Sequence, residues 1–304
     1  MHPAPKFQEE YSAKIPALLL LANLGWRYLP PSEALALRGG DKSAVVLGDV
    51  LREQLAKRRF VFEGESYPLS ERAMDDLVGQ IGTPQLGEGL LLANERIYNH
   101  LLYGISVTEF VGGKKANPTI ALIDWENPDN NSFAFTEEFS VACSNNVDCR
   151  RPDVVCFVNG IPLAVIEAKR PSGSKGATVE EGISQCLRNQ RPSEIPHLFA
   201  YSQLLLSVNG IDARYGTCGT AAKFWAAWRE EVFGEPEMAA IKNQQPSETA
   251  LAAIFAGRQD AFAWYRQWSA QTLALNGQDR LMIGLLTQTR LLEMVRFFML
   301  FDKK

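Results

Sequence analysis

Within the stretch Arg151-Pro152-Asp153-Val154-Val155-Cys156-Phe157-Val158-Asn159-Gly160-Ile161-Pro162-Leu163-Ala164-Val165-Ile166-Glu167-Ala168-Lys169, three residues have the types and spacing to do chemistry: Asp153, Glu167 and Lys169. The stretch reads as a β-hairpin carrying one carboxylate on its first strand and a carboxylate plus an amine at the end of its second. Side chains alternate along a strand, so Glu167 and Lys169 share a face and Ala168 points away. Two carboxylates supply the hard oxygen ligands that Mg²⁺ prefers. The ion would polarise a phosphate and lower the pKa of an attacking water. A lysine beside it would stabilise the charge that develops on the phosphate. The set therefore fits metal-dependent hydrolysis of a phosphodiester. The plainer alternative makes Asp153 a residue that follows a turn at Pro152, and Glu167 and Lys169 a strand-end pair worth under ~1 kcal/mol. Context favours chemistry: Val154 to Val158 and Leu163 to Ile166 are almost wholly apolar, as in strands buried on both faces, and charges at their ends are costly to desolvate without a purpose.

The chemistry makes a demand on register. A plain two-residue turn at Asn159-Gly160 with unbroken alternation would pair Asp153 with Ile166 and put it on the face opposite Glu167. A three-residue loop Asn159-Gly160-Ile161, or a bulge in either strand, pairs Asp153 with Glu167 instead. An odd-length loop, a bulge or a break at Asp153 is therefore expected. Pro162, which cannot donate a ladder hydrogen bond, favours such an irregularity.

The elements around this hairpin change character along the chain. From Phe7 to about Gly104 the apolar spacing is helical, most clearly through Val46–Leu55 and Leu90–Leu102. The apolar run within Ile15–Trp26 reads as a buried helix: it is too short to span a bilayer, and Glu9 and Glu10 stand where a signal peptide would be basic. After Gly112-Gly113, the segments Thr119–Trp125, Ser132–Ala142, Val154–Val158 and Pro162–Ile166 read as strands. Thr178-Val179-Glu180-Glu181 has the form of a capping box and opens a helix to about Asn189. Strand character returns over His197–Val208 and Asp212–Thr217, and helices resume from Ala221. Leu291 to Phe301, with almost no polar face, is expected to pack as a helix against this domain or against the one that follows. Trp225 and Trp228, like Trp264 and Trp268, have the spacing of helix-packing residues. The order points to an α/β or α+β core with helical flanks: a helical region over 1–112, a core over 113–220 and a helical segment over 221–304.

At 304 residues with 46% hydrophobic and 22% charged residues, the chain can bury a substantial core. Its net charge of -4 gives no basic footprint, so contact with nucleic acid has to come from a local patch. Arg170, Lys175, Arg188 and Arg191 are the cations placed to neutralise phosphates near the hairpin; simple solvation is the other reading of each. Five cysteines without a CxxC pair, and three histidines far apart in sequence, argue against zinc or a disulfide framework and fit reduced thiols in a cytoplasmic protein. There is no P-loop, Gly113-Lys114-Lys115 lacking its leading glycine, so these residues are not expected to hydrolyse ATP.

Pro152-Asp153 with Glu167-Ala168-Lys169 resembles the PD-(D/E)xK nuclease superfamily. The fuller phrase RPDVVCFVNGIPLAVIEAKRP resembles the N-terminal nuclease domain of type I restriction subunits. The likeness runs over roughly residues 20 to 301, through Asn94-Glu95-Arg96-Ile97-Tyr98, Ile195-Pro196-His197-Leu198-Phe199, Ala213-Arg214-Tyr215 and Leu291–Phe301. The resemblance implies an α/β, restriction-endonuclease-like core, a central mixed β-sheet flanked by helices. It implies a Mg²⁺-dependent endonuclease acting on double-stranded DNA, with Asp153 and Glu167 as metal ligands and Lys169 as the catalytic cation. It also implies methyltransferase and specificity subunits as partners, no membrane, and ATP used only by motor domains outside these residues. Some relatives place a helix-borne acid at the metal, which makes Glu95, on the helix expected over residues 88–103, a further candidate beside its reading as a solvated surface residue. Relatives carry a Q-x-x-x-Y element on the helix after the lysine; here Gln185 is followed by Asn189, so this face is either an auxiliary to the site or simply solvated. Two other readings stay open: a catalytically silent docking domain of the same fold, and a stand-alone defence or repair nuclease.

Overall fold

The computed structural model describes residues 9–171, 178–229 and 232–301. Its centre is a six-stranded mixed sheet whose spatial order follows the chain: β1 (Arg27–Tyr28), β2 (Phe133–Glu137), β3 (Val154–Val158), β4 (Ile161–Ala168), β5 (Leu204–Val208) and β6 (Ala213–Gly216). β1 lies parallel to β2, and β2, β3 and β4 are successively antiparallel. β5 is parallel to β4, and β6 closes the sheet antiparallel to β5. A parallel neighbour needs a crossover. Between β4 and β5 it holds α4 (Val179–Asn189) and the single turn α5 (Pro196–Phe199). Every residue of β2, β3, β4 and β5 is buried, as their continuous apolar runs require.

The hairpin meets the demand on register with a bulge. Val158 pairs with Ile161 across a two-residue turn in which Asn159 and Gly160 have φ of +52° and +81°, the primed geometry that suits strand twist. The ladder then slips, Phe157 opposite Pro162 but Cys156 opposite Ala164, so Leu163 is the extra residue and Val154 faces Ile166. One step further, Asp153 comes opposite Glu167. The turn is seated on the start of α2 (Gly48–Ala56), where Leu47 N–H donates to the Gly160 carbonyl at 2.8 Å. A Cβ at Gly160 would sit 2.5 Å from the Leu47 carbonyl oxygen, so the seat requires glycine.

Helices from the two ends of the sequence pack together. The apolar run expected to be a buried helix is α1 (Ile15–Asn23), which lies against α7 (Gly277–Leu286). Gln278 joins them to the sheet, donating to the Ala13 carbonyl at 3.0 Å and accepting from Gly210 N–H at 2.6 Å. α8 (Gln288–Phe297) buries Leu291, Leu292 and Val295. The apolar stretch to Phe301 does not pack along its whole length, because Phe297, Phe298 and Leu300 are 63%, 64% and 94% exposed.

Several local expectations are corrected. The N-terminal region is not purely helical, since Arg59–Phe62 and Glu65–Pro68 form a hairpin and β1 belongs to the central sheet. Thr119–Trp125 keeps strand pairing only at Thr119–Ile120. Beyond it, Asp124 accepts from Asn127 N–H and the Asn130 amide, so a side chain organises a turn in place of a ladder. His197 begins no strand: Pro196 at the first helical position starts α5, and strand structure waits until Leu204. Thr178 does sit at the N-cap of α4, but its hydroxyl makes no capping bond to the helix. Trp225 and Trp228 are not on a helix. Trp225 covers Gly216 and Trp228 meets Tyr215 edge to face, whereas Trp264 and Trp268 stack on α6 (Gln259–Trp268) at 5.2 Å.

Candidate active site

The strand register brings three of the expected residues to one point. Asp153 stands just before β3, Glu167 near the end of β4 and Lys169 just beyond it. Ala168 N–H donates to Asp153 Oδ2 at 2.8 Å, which turns that carboxylate across the hairpin. Lys169 Nζ donates to the same oxygen at 3.2 Å and to the Ala168 carbonyl at 2.8 Å, and stands 3.7 Å from Glu167 Oε2. Lys169 Nζ thus spans the two carboxyl groups. Glu167 is fully buried, and burial pushes its carboxyl well above the ordinary range; the adjacent Asp153 adds to this, and Lys169 opposes it. Burial pulls the Lys169 ammonium down, but Asp153, Glu167 and Glu9 more than offset it.

α4 completes the wall over Glu167. Gly182 lets it approach closely: a Cβ there would meet Ser207 Oγ at 2.2 Å and Glu167 Cβ at 3.4 Å. One turn on, Gln185 Nε2 donates to Glu167 Oε2 at 2.7 Å, so Gln185 belongs to the site. Asn189 is not on a solvated face. It is 1% exposed and continues the buried line of Gly182 and Cys186, and its Oδ1 accepts from Arg188 at 3.5 Å.

Glu95 lies on a helix anchored at the other end of β4 from Glu167. Its neighbour Asn94 fastens α3 (Leu90–Tyr103) to the carbonyls of Phe199, Ala200 and Ser202. Those carbonyls precede β5, which enters the sheet beside Ala164, at the far end of β4 from Glu167. Of the four cations expected at the phosphate, Arg188 acts on Glu167, Arg191 acts on Glu194, and Arg170 is exposed next to Lys169. Lys175 lies outside the described residues.

Two further groups adjoin the site that the sequence did not single out. Glu9, half-buried, has its carboxyl raised by burial, with Lys169 and Asp153 acting on it in opposite senses. Glu137 and Glu138, at the end of β2, pair with Lys14. The signal was present at Glu137, a charge at the end of an apolar strand, the same sign that marked Asp153 and Glu167.

The donor set suits a hard cation. Glu167 Oε1 is buried without a hydrogen-bond partner, and a carboxylate buried there beside Asp153 calls for a proton or a cation. Among the described residues no group of three or more His, Cys, Asp or Glu side chains is arranged to hold a metal. A pair of carboxylates is enough for Mg²⁺, which keeps waters and takes phosphate oxygens for its remaining positions.

Comparison with known proteins places the chain in a family. Residues 6–224 match the family model described as the type I restriction enzyme R protein N terminus. The chain is 31% identical over 214 residues to the HindI type I restriction enzyme endonuclease subunit of Haemophilus influenzae, covering 69% of this chain and 19% of that one. It is 25% identical over 307 residues to the putative MjaIXP endonuclease subunit of Methanocaldococcus jannaschii, covering 99% of this chain and 26% of the relative. The EcoprrI endonuclease subunit of Escherichia coli is 28% identical over 199 residues, 64% of this chain and 54% of that one. The chain belongs to the family of type I restriction enzyme R protein N-terminal regions. It spans 19% and 26% of the first two relatives' lengths. Among the described residues no helix is long and apolar enough to cross a membrane.

Proposed function

We propose that this chain is a Mg²⁺-dependent endonuclease module of PD-(D/E)xK type that hydrolyses phosphodiester bonds of double-stranded DNA within a type I restriction system. The observation that carries this reading is the facing pair Asp153 and Glu167, with Lys169 across both and one Glu167 oxygen left unpaired. Asp153 and Glu167 would hold the ion, which when bound polarises the scissile phosphate and acidifies a water. The Ala168 N–H fixes the Asp153 carboxylate and Gln185 fixes that of Glu167, so both ligands are oriented before DNA arrives. Lys169 presents a positive charge to the phosphate and opposes the negative charge that builds up on it. Arg170 and Arg188 neutralise flanking phosphates without reading bases. In the full subunit, motor domains beyond these residues would couple cleavage to ATP-driven translocation, and methyltransferase and specificity subunits would choose the site.

The test is nicking of supercoiled plasmid by the wild-type chain and by Lys169→Ala, with and without Mg²⁺. Wild type should nick only with the metal, and Lys169→Ala should be slower by roughly 100-fold or more. Wild type inert with both Mg²⁺ and Mn²⁺, or Lys169→Ala as fast as wild type, would overturn the reading.

A further inference from the structure

Behind Asp153 lies a second charged cluster, in which Glu137 is fully buried yet receives three partners from remote parts of the sequence. Tyr28 Oη donates to Glu137 Oε1 at 2.7 Å, and Arg258, the residue preceding α6, donates to the same oxygen at 2.6 Å. Lys14 Nζ stands 3.3 Å from Glu137 Oε2 and also pairs with Glu138. Burying a carboxylate with two cations is a poor way to gain stability, since apolar residues of the same volume do as well or better.

What the cluster holds is the main chain of Asp153. Glu137 is the cross-strand partner of Val154, and the next two residues fasten what precedes it: Glu138 N–H donates to the Asp153 carbonyl at 3.0 Å, and Phe139 N–H to that of Pro152 at 3.2 Å. Glu138 makes its bond from the left-handed region, at φ +47°, an uncommon conformation for a glutamate. Lys14 pairs with both Glu137 and Glu138 beside it.

We propose that Glu137, held by Tyr28, Lys14 and Arg258, is a positioning residue for Asp153, and that the C-terminal helical segment through Arg258 sets the site's affinity for its cation. This rests on the reading of Asp153 and Glu167 as a divalent-cation site. Through-space electrostatics alone predicts the opposite sign, because deleting a positive charge near two carboxylates should tighten cation binding.

Calorimetric titration of the 304-residue chain with Mn²⁺ decides the matter. Tyr28→Phe and Arg258→Gln should each weaken binding by roughly 10-fold, the cost typical of disturbing the groups that orient metal ligands, and Arg258→Lys should recover most of the loss. Tyr28→Phe removes one hydroxyl and no charge, so it answers the question even if Arg258→Gln does not fold. The matched control is Tyr201→Phe, a fully buried tyrosine whose hydroxyl donates to the Ile81 carbonyl; it should lose stability and keep its Mn²⁺ affinity. Unchanged or tighter binding in Tyr28→Phe, or an equal loss in Tyr201→Phe, overturns the proposal. If Asp153→Asn also binds Mn²⁺ like wild type, the cation site itself is wrong, and the positioning role falls with it.

Discussion

Glu167 is fully buried and His197 partly so, with opposite consequences. The proposed metal site explains why Glu167 is kept where a carboxylate is costly, as a second hard ligand, whereas His197 is a half-buried base with no comparable task. Its Nε2 has no hydrogen-bond partner, and burial, aided by Arg38, holds its pKa below the ordinary 6.5. The unfolded chain then binds the proton more readily than the folded one, so stability rises with pH across this interval. His197 therefore contributes fully above about pH 6.5, and its contribution is lost as pH falls from there through the lower folded value. In denaturant melts, the stability of wild type minus that of His197→Gln should shrink from about pH 7.5 to about pH 5. A difference that stays constant, or grows in acid, would show that the ring is not the titrating group. At this scale the sequence was legible where a charge interrupted an apolar run. Asp153, Glu167 and Lys169 stood out for that reason, and Glu137 carried the same mark unread. Gln185 was visible only through the resemblance, as the first residue of a Q-x-x-x-Y-like element. Gly182 was not, because nothing in a sequence says how closely a helix must approach a strand.

At the level of elements, the β3–β4 hairpin depends on one spare residue. Asn159-Gly160 announced a two-residue turn and the chemistry demanded a slip; the bulge at Leu163 satisfies both. The Cα ladder between β4 and β5 starts at Ala164, so losing Leu163 costs that side only the bond from Gln203 N–H to the Leu163 carbonyl at 2.8 Å. Deleting Leu163 should convert the bulge into a regular ladder with Asp153 still opposite Glu167, and Mn²⁺ affinity should survive at some cost in stability. Deleting Leu163 and Ala164 together removes more than the spare residue, moves Asp153 out of line with Glu167 and should abolish binding. Equal affinities in the two deletions would show that the register does not place the ligands. The strands buried on both faces were readable because continuous apolar runs have little else to be. The segment from His197 was not, since four apolar residues behind a proline suit a helical turn as well as a strand. Thr119–Trp125 failed because the turn that ends it is built by the Asp124 side chain, which propensity does not weigh.

Across the whole molecule, the net charge of -4 says little about a site whose proposed chemistry needs carboxylates for a metal and only a few cations at its rim. The long-range contacts say more. Asp153 and Lys169 are 16 positions apart and meet through a hairpin, a local structure that closes quickly. The grip on Glu137 reaches 109 positions back to Tyr28 and 121 forward to Arg258, and such distant closures come later in folding. Pulsed hydrogen exchange during refolding should find the β3 and β4 amides protected before that of Glu138; simultaneous protection would remove the distinction. On a growing chain the consequence is a delay. The ribosome releases Asp153, Glu167 and Lys169 long before it releases Arg258, so on the proposed positioning role an unfinished polypeptide carries the three site residues without the frame that orients them until Arg258 has folded back onto Glu137.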